Sequence, residues 1–175
     1  MADDTVLLRA PTRRDEAEFL DLVRRSRKLH RPWVSPPATP ERFRAYVAKC
    51  GRPDCCGLLV CRREDGAIVG LFNISQIVRG LLQSAFLGYW AGAPFAGRGY
   101  MSKGLALLLR HAFRKLKLHR IEANLQPGNS ASRRLAKRAG FRKEGFSRRY
   151  LKISGRWRDH ERWAICKEDW GVRGR

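Results

Sequence analysis

The chain has 175 residues, with 37 Lys or Arg against 16 Asp or Glu and a formal charge of +21. This length fits a single domain, 1–175, and an apolar share of 43% supplies a core, which excludes a disordered basic chain. No apolar run reaches the roughly 18 residues that span a bilayer, and residues 1–14, with Asp3 and Asp4, lack a signal-peptide core, so a cytoplasmic protein without a membrane partner is expected.

Residues 6–10 read as a short first strand. Thr12 can cap a helix to about residue 28, with Asp15 and Glu16 in its first turn complementing the helix dipole. After the proline-rich break Arg31-Pro-Trp-Val-Ser-Pro-Pro37, Thr39 as cap and Pro40 as first residue open a second helix to about 49. Strands at 57–62 and 67–78 flank a Glu64-Asp65-Gly66 turn, and Arg79-Gly80 marks a hairpin tip before a strand at 82–91. The loop 92–99 leads into a helix at 101–116, where Met101, Leu105, Leu108, Ala112 and Leu116 recur at the spacing of one buried face. A strand at 119–125 and the turn Gln126-Pro-Gly128 come next, then a helix capped by Asn129 and ended by Gly140. Strands at 142–153 and 157–167 flank a Ser154-Gly155 turn. The order βααβββαβαββ predicts one mixed α/β domain without repeats or a linker.

The excess charge is uneven. Between Asp65 and Glu122 stand eight Lys or Arg and no acid, and from Arg110 onward 20 basic residues face 6 acidic ones. Such a distribution suits a polyanionic partner, whether RNA, a ribosomal surface or a phosphorylated cofactor. The arginine bias, 28 of the 37 cations, equally fits solvated faces with no partner. The five cysteines are odd in number and form no CxxC pair, so they read as small buried hydrophobes and no metal is expected.

Two motifs carry chemistry. Pro94-Phe-Ala-Gly97-Arg98-Gly99-Tyr100-Met101-Ser102 joins a strand to a helix N-terminus. There glycines admit main-chain N–H groups close to a phosphate, and the helix end adds partial positive charge. Glycine spacing alone also serves a plain turn. The second motif is Asn129-Ser-Ala-Ser132 through Ala139-Gly140-Phe141, with Glu144-Gly145 after it.

With both motifs in place, the chain resembles the GNAT superfamily of acetyl-CoA-dependent N-acetyltransferases, and within it the ribosomal-protein-alanine N-acetyltransferases of the RimJ type. The likeness runs through Arg31-Pro-Trp33, Leu71-Phe-Asn-Ile-Ser-Gln-Ile-Val-Arg-Gly80, Leu87-Gly-Tyr89, Gly97-Arg-Gly-Tyr-Met101, Leu118-His-Arg-Ile121 and Gly155-Arg-Trp-Arg-Asp-His160, nearly the whole chain. It implies a mixed sheet of about seven strands, splayed between strands four and five and flanked by about four helices. Tyr89, Trp90 and Ala91 would pair with the pantetheine arm of acetyl-CoA, and Gly97, Arg98, Gly99, Tyr100, Met101 and Ser102 would cradle the pyrophosphate. Asn129 would contact the arm and Ser132 would sit near the thioester sulfur as proton donor. The acceptor would enter past Trp33, Asn73 and Tyr150.

Three positions depart from the family pattern. Ala96 stands where Gln or Arg is frequent, Ala136 where a tyrosine acid is frequent, and Arg149 where relatives carry a carboxylate base. An arginine cannot accept a proton near neutral pH, so the amine proton would go to water or, through water, to Glu122. The acceptor must be neutral to attack. An α-amine with a pKa near 7.8 is about one-seventh neutral at pH 7, a lysine amine about once in 2,500. A protein N-terminus is therefore favoured, in a ribosomal protein as the resemblance implies, with RNA contact through the basic surface and a monomer or homodimer as the assembly. The alternatives are a small amine or aminoacyl conjugate (antibiotic, polyamine, aminoacyl-tRNA) and a non-catalytic RNA-binding scaffold. His119 and His160 read as structural hydrogen-bonding residues, and Asp159 as a brace for the last hairpin.

Overall fold

A computed structural model of the protein describes residues 5–173, with side chains as far as residue 171. Asp3 and Asp4 lie outside the described residues. The first strand, β1 (Val6–Arg9), pairs antiparallel with β2 (Cys55–Arg62). Between them α1 (Glu16–Arg25) begins after a 3-10 turn. The carboxylate of Asp15, only 7% exposed, accepts the Thr12 N–H at 2.7 Å, the Thr12 hydroxyl at 2.9 Å and Arg9 Nη1 at 2.9 Å. The helix start is thus a buried charged network rather than a lone threonine cap. Burial alone would raise the Asp15 carboxyl, but the bonds from Arg9 and Thr12 outweigh it and hold the group below its ordinary range.

The helix expected to reach residue 28 stops instead at Ser26. That serine is fully buried and its Oγ accepts the Ala93 N–H at 2.8 Å. A hydroxyl committed to a distant loop fixes the chain at this point, and the short α2 (Arg27–His30) turns away toward the proline-rich segment. In α3 (Pro40–Cys50) Thr39 Oγ1 accepts the Arg42 N–H, the cap expected from the sequence.

The remaining strands are β3 (Ile68–Val78), β4 (Ser84–Ala91), β5 (Arg120–Leu125), β6 (Arg142–Ile153) and β7 (Arg156–Cys166). They complete a seven-stranded sheet of order β1-β2-β3-β4-β5-β7-β6, antiparallel except for the β4–β5 pair. Alternating side chains send β2 and β3 residues to two cores. Val60, Phe72 and Ile74 pack with Leu105 and Leu108 of α4 (Tyr100–Arg110) and with Leu135 of α5 (Ser130–Ala139). On the opposite face Leu59, Leu71 and Trp90 pack with Phe19 of α1 and Phe43 of α3. Phe19 sits at the centre of the second core, 4.6 Å from the Phe43 ring and 5.3 Å edge-on to Trp90. Each such aromatic contributes roughly 1.5–3 kcal/mol by burial.

Two further elements differ from expectation. The fourth helix does not stay α-helical to 116 but widens into a π-helical turn over His111–Lys115, with Leu116 N–H bonded to His111 O at 3.0 Å. The wider turn still buries Ala112 and Phe113. A last helix, α6 (Lys167–Arg173), follows β7, and its Trp170 lies 5.5 Å from the Phe113 ring. The acidic pair Glu168 and Asp169 in its first turn was the available sequence signal. No helix among the described residues is long and apolar enough to cross a membrane.

The feature that positions the site is an interruption in the sheet. β4 and β5 pair only over Ser84–Arg120, Ala85–Ile121 and Phe86–Glu122. From Leu87 and Ala123 onward the two strands separate, which is the splay expected between strands four and five. Their diverging ends leave main-chain N–H and C=O groups of β4 unpaired on that side, and such groups call for a partner.

Candidate functional site

Two cavities occupy the gap, one on each side of a shared wall formed by Tyr89, Asn129, Ser132 and Trp33. The first, of about 350 Å³, runs from the end of β4 across the glycine loop to the N-termini of α4 and α5. Tyr89, Trp90, Ala91, Gly97, Gly99, Met101, Ser102, Asn129 and Ser132, all expected to hold the cofactor, line it together. Gly97 and Gly99 have φ of 77° and 82°, a left-handed backbone that glycine alone enters without strain. Gly99 is also the N-cap of α4, so its turn presents main-chain N–H groups and the positive helix end to this cavity.

At the other two loop positions the Arg98 side chain is exposed and the Tyr100 ring packs edge-on at 6.3 Å against Phe95, so what they offer a phosphate is their main-chain N–H groups. The cations here come instead from Arg134 and Arg138 of α5, which sequence reasoning missed. Their i,i+4 spacing behind the Asn129 cap was the signal, since it puts both on one helix face. His30 also lines this cavity. Its Nε2 donates to Ala91 O at 3.0 Å, while Nδ1 is buried without a partner. The donor set of helix end, glycine-loop amides, two arginines and unpaired strand edge fits a long phosphorylated ligand such as acetyl-CoA.

The second cavity, about 320 Å³, lies between β4, β5 and the β6–β7 hairpin and is lined by Trp33 and Tyr150 together. Trp33 is held by its carbonyl, which accepts Gln126 Nε2 at 3.1 Å, and a Cβ placed on Gly128 would come within 3.1 Å of its ring. Asn73 does not reach this cavity. It sits two residues short on β3, where its Oδ1 accepts the Cys55 thiol at 3.6 Å, and Ser75 and Gln76 line the wall instead. Nor does Glu122. Its Oε1 accepts Arg120 Nε at 2.9 Å, and the same guanidinium holds Glu144 at 3.0 Å, so the carboxylate belongs to an ion-pair cluster below the gap. An amine in this cavity would therefore reach Glu122 only through water.

At the junction, Asn129 caps α5 by accepting the Ser132 N–H at 3.1 Å, which places Ser132 in the first turn with its hydroxyl uncommitted. Tyr89 donates its hydroxyl to Ser132 O at 3.2 Å, and burial pushes its phenol up to about 12, so it stays protonated. Arg149, at the position lacking a carboxylate, occupies a bulge between Ser147 and Leu151 with φ of 47°. Asp159 Oδ1 accepts its N–H at 2.8 Å, the brace anticipated for that aspartate. His119 pairs with Glu168 at 3.1 Å on the surface. His160 is different: it is 2% exposed, bonds Arg158 O through Nδ1 at 2.9 Å, and lines the second cavity beside Tyr150. Among the described residues, no Asp, Glu, Lys or Arg lines that cavity.

Comparison with known proteins agrees with this geometry. A model of the acetyltransferase (GNAT) domain matches residues 5–142. The [Ribosomal protein uS5]-alanine N-acetyltransferase of Escherichia coli is 31% identical over 97% of this chain and 92% of its own length. Probable N-acetyltransferase YjcK of Bacillus subtilis is 44% identical over 61% of this chain, a match that spans 59% of that protein. Among solved structures, Mycobacterium smegmatis RimJ in complex with CoA-disulfide superposes with a TM-score of 0.86 at 31% identity, covering 94% of this chain and 83% of that one.

Proposed function

The chain belongs to the acetyltransferase (GNAT) family, and on that premise we propose that it moves an acetyl group from acetyl-CoA to the N-terminal α-amine of a protein, a ribosomal protein in particular. The observation that carries the choice of acceptor is the absence of any charged side chain lining the cavity of Trp33, Tyr150 and His160. A polyamine brings two or more ammonium groups, and each needs a carboxylate once it leaves water. A chain N-terminus brings one amine, which sheds its proton near neutral pH, followed by a peptide that can run out over the hairpin. The relative that modifies ribosomal protein uS5 supports a ribosomal acceptor.

Acetyl-CoA supplies an activated acyl carbon. In this reading the amides of the glycine loop, with Arg134 and Arg138, hold its phosphates, and the free edge of β4 from Leu87 pairs with the arm. Ser132 stands at the wall between the cavities, where the N-terminal end of α5 favours negative charge on sulfur and its hydroxyl donates a proton. A strand N–H near Trp90 meets charge on the thioester oxygen. Arg148, Arg149, Lys152 and Arg156 crowd the β6–β7 hairpin without an acidic partner among the described residues, and we assign them to contact with RNA around the acceptor.

The test is incubation of ribosomal proteins and spermidine together with the enzyme and isotope-labelled acetyl-CoA, read by mass spectrometry. Label on the N-terminal peptide of one protein is expected; label confined to spermidine would overturn the acceptor assignment. Transfer to a ribosome-bound acceptor should fall steeply with salt, while transfer to the isolated peptide should not.

A further inference from the structure

The acceptor amine must lose a proton, and no carboxylate among the described residues lines the cavity to take it: Arg149 replaces one, and Glu122 is bound to Arg120 and is not part of the lining. Among the described side chains lining the acceptor cavity, the candidates for proton transfer are the phenols Tyr89 and Tyr150 and the imidazole of His160. A phenol cannot accept a proton near neutral pH because it already carries one. That leaves the imidazole.

The hydrogen bonding of His160 fixes which nitrogen is free. The Arg158 carbonyl can only accept, so the 2.9 Å contact places the ring proton on Nδ1 and leaves a lone pair on Nε2. No other hydrogen bond engages the ring, and the Tyr150 ring stands 6.3 Å away at 61°. We propose that His160 Nε2 is the general base that takes the proton from the acceptor amine. This deepens the acceptor assignment made above and rests on it.

The step balances as follows. The amine nitrogen bonds to the thioester carbonyl carbon as the carbon–sulfur bond breaks and its electron pair leaves with sulfur. The surplus proton on nitrogen passes to Nε2 and then to water. Sulfur gains one proton from Ser132, which recovers one from water, so a neutral amine produces no net change.

The surroundings keep the imidazole ready. Burial pulls His160 below its ordinary value, against smaller opposite pulls from the Arg158 carbonyl and from Asp159. Asp159 is itself occupied by the Arg149 N–H. Arg158, two positions earlier on the same face of β7, and the Arg148–Arg149 pair on β6 add positive charge nearby, and from β4 the only titratable neighbour is Tyr89. The net effect favours the neutral ring, whose Nε2 lone pair can accept a proton.

The experiment compares wild type with His160→Asn, whose amide can replace the Nδ1 donor to Arg158 O but has nothing at Nε2, and with His160→Gln. Turnover with an N-terminal peptide acceptor should fall about 100-fold or more in both, with acetyl-CoA affinity and melting temperature of His160→Asn unchanged. The wild-type kcat should decline on the acid side of pH 6.5, and that limb should be absent from the variants. A His160→Asn enzyme within threefold of wild type, or one that is slow yet keeps the same acid limb, would overturn the role. Nitrogen NMR of the ring provides a readout independent of which amine is the acceptor. A proton on Nδ1 at pH 7 is expected, and a proton on Nε2 would refute the proposal even if the acceptor reading stands. Transfer to polyamines alone would refute the acceptor reading, while the tautomer and the acid limb would still decide for or against His160.

Discussion

Replacing Gly99 by alanine separates backbone strain from ligand contact, because Gly155 offers a matched control. Gly99 has φ of 82° and Gly155 has φ of 79°, and a Cβ built at either meets no heavy atom within 4 Å. Both substitutions therefore carry the same cost, that of holding an L-residue in the left-handed region, about 1–2 kcal/mol, offset in part by a stiffer unfolded chain. For a chain of this length a net loss of roughly 1 kcal/mol lowers the melting temperature by about 2–4 °C. The two sites differ in one respect: Gly99 lines the 350 Å³ cavity and Gly155 turns the β6–β7 hairpin. The empty space around Gly99 is where the phosphates would approach the amides, so a methyl group there blocks the approach as well as straining the loop. Calorimetric titration should find acetyl-CoA affinity reduced at least tenfold in Gly99→Ala and unchanged in Gly155→Ala, with similar melting temperatures. Equal affinities in the two variants would refute the reasoning, since strain would then be the whole effect and the glycine loop would hold no ligand.

Ser132→Ala should lower kcat by about 100-fold or more while acetyl-CoA binding persists, because the N-cap bond to Asn129 uses the main-chain N–H rather than the hydroxyl; stopped turnover and calorimetry together check it. Arg134→Ala with Arg138→Ala should weaken acetyl-CoA roughly tenfold or more, and less so as salt rises, with no change in folding, since both side chains are exposed. The lowered carboxyl of Asp15 contributes stability that is complete above its unfolded value of about 3.9 and disappears as pH falls through the lower folded value. Urea midpoints between pH 6 and pH 2 should therefore drop more for wild type than for Asp15→Asn, and parallel curves would remove Asp15 from the acid response.

The sheet was legible because its strands carry β-branched and apolar runs between glycine-marked turns, and α4 because its apolar residues repeat at helical spacing. The break at Ser26 was not, because it depends on a hydroxyl reaching the Ala93 N–H, 67 positions away. The π-turn at 111–115 was also hidden, since Ala112 and Phe113 suit either helix on one buried face. In the site, residues close in sequence to the glycine loop and the Asn129 cap came together as expected. Two residues assigned without a local pattern were less secure: Asn73 and Glu122 lie on strands that do reach the cavities, but two positions short of the lining residues Ser75 and Asn124. His160 was read as structural, and half of that is correct, for Nδ1 is spent on a main-chain carbonyl. Its second nitrogen gains meaning only from the cavity it lines, which no local pattern encodes.

The uncharged cavity and the weak base explain each other. In a chain of formal charge +21, no Lys or Arg among the described residues stands in the acceptor lining. An ammonium group entering that space loses water and finds no anion, so its pKa falls and the neutral form that attacks is favoured. An α-amine starts near 7.8 and needs little further help, and a buried imidazole suffices to take the proton. A lysine amine starts about 2.6 units higher, which at 1.36 kcal/mol per unit is a further cost of about 3.5 kcal/mol, or several hundredfold in rate. A carboxylate in the lining would lessen that difference by stabilising ammonium in the cavity, and would admit lysines and polyamines. Placing one there, as Gln76→Glu at the exposed wall, should therefore raise transfer to spermidine relative to an N-terminal peptide. In the proposed reading, selection for the α-amine lies in what the cavity omits, and an unchanged acceptor ratio in that variant would refute this account of it.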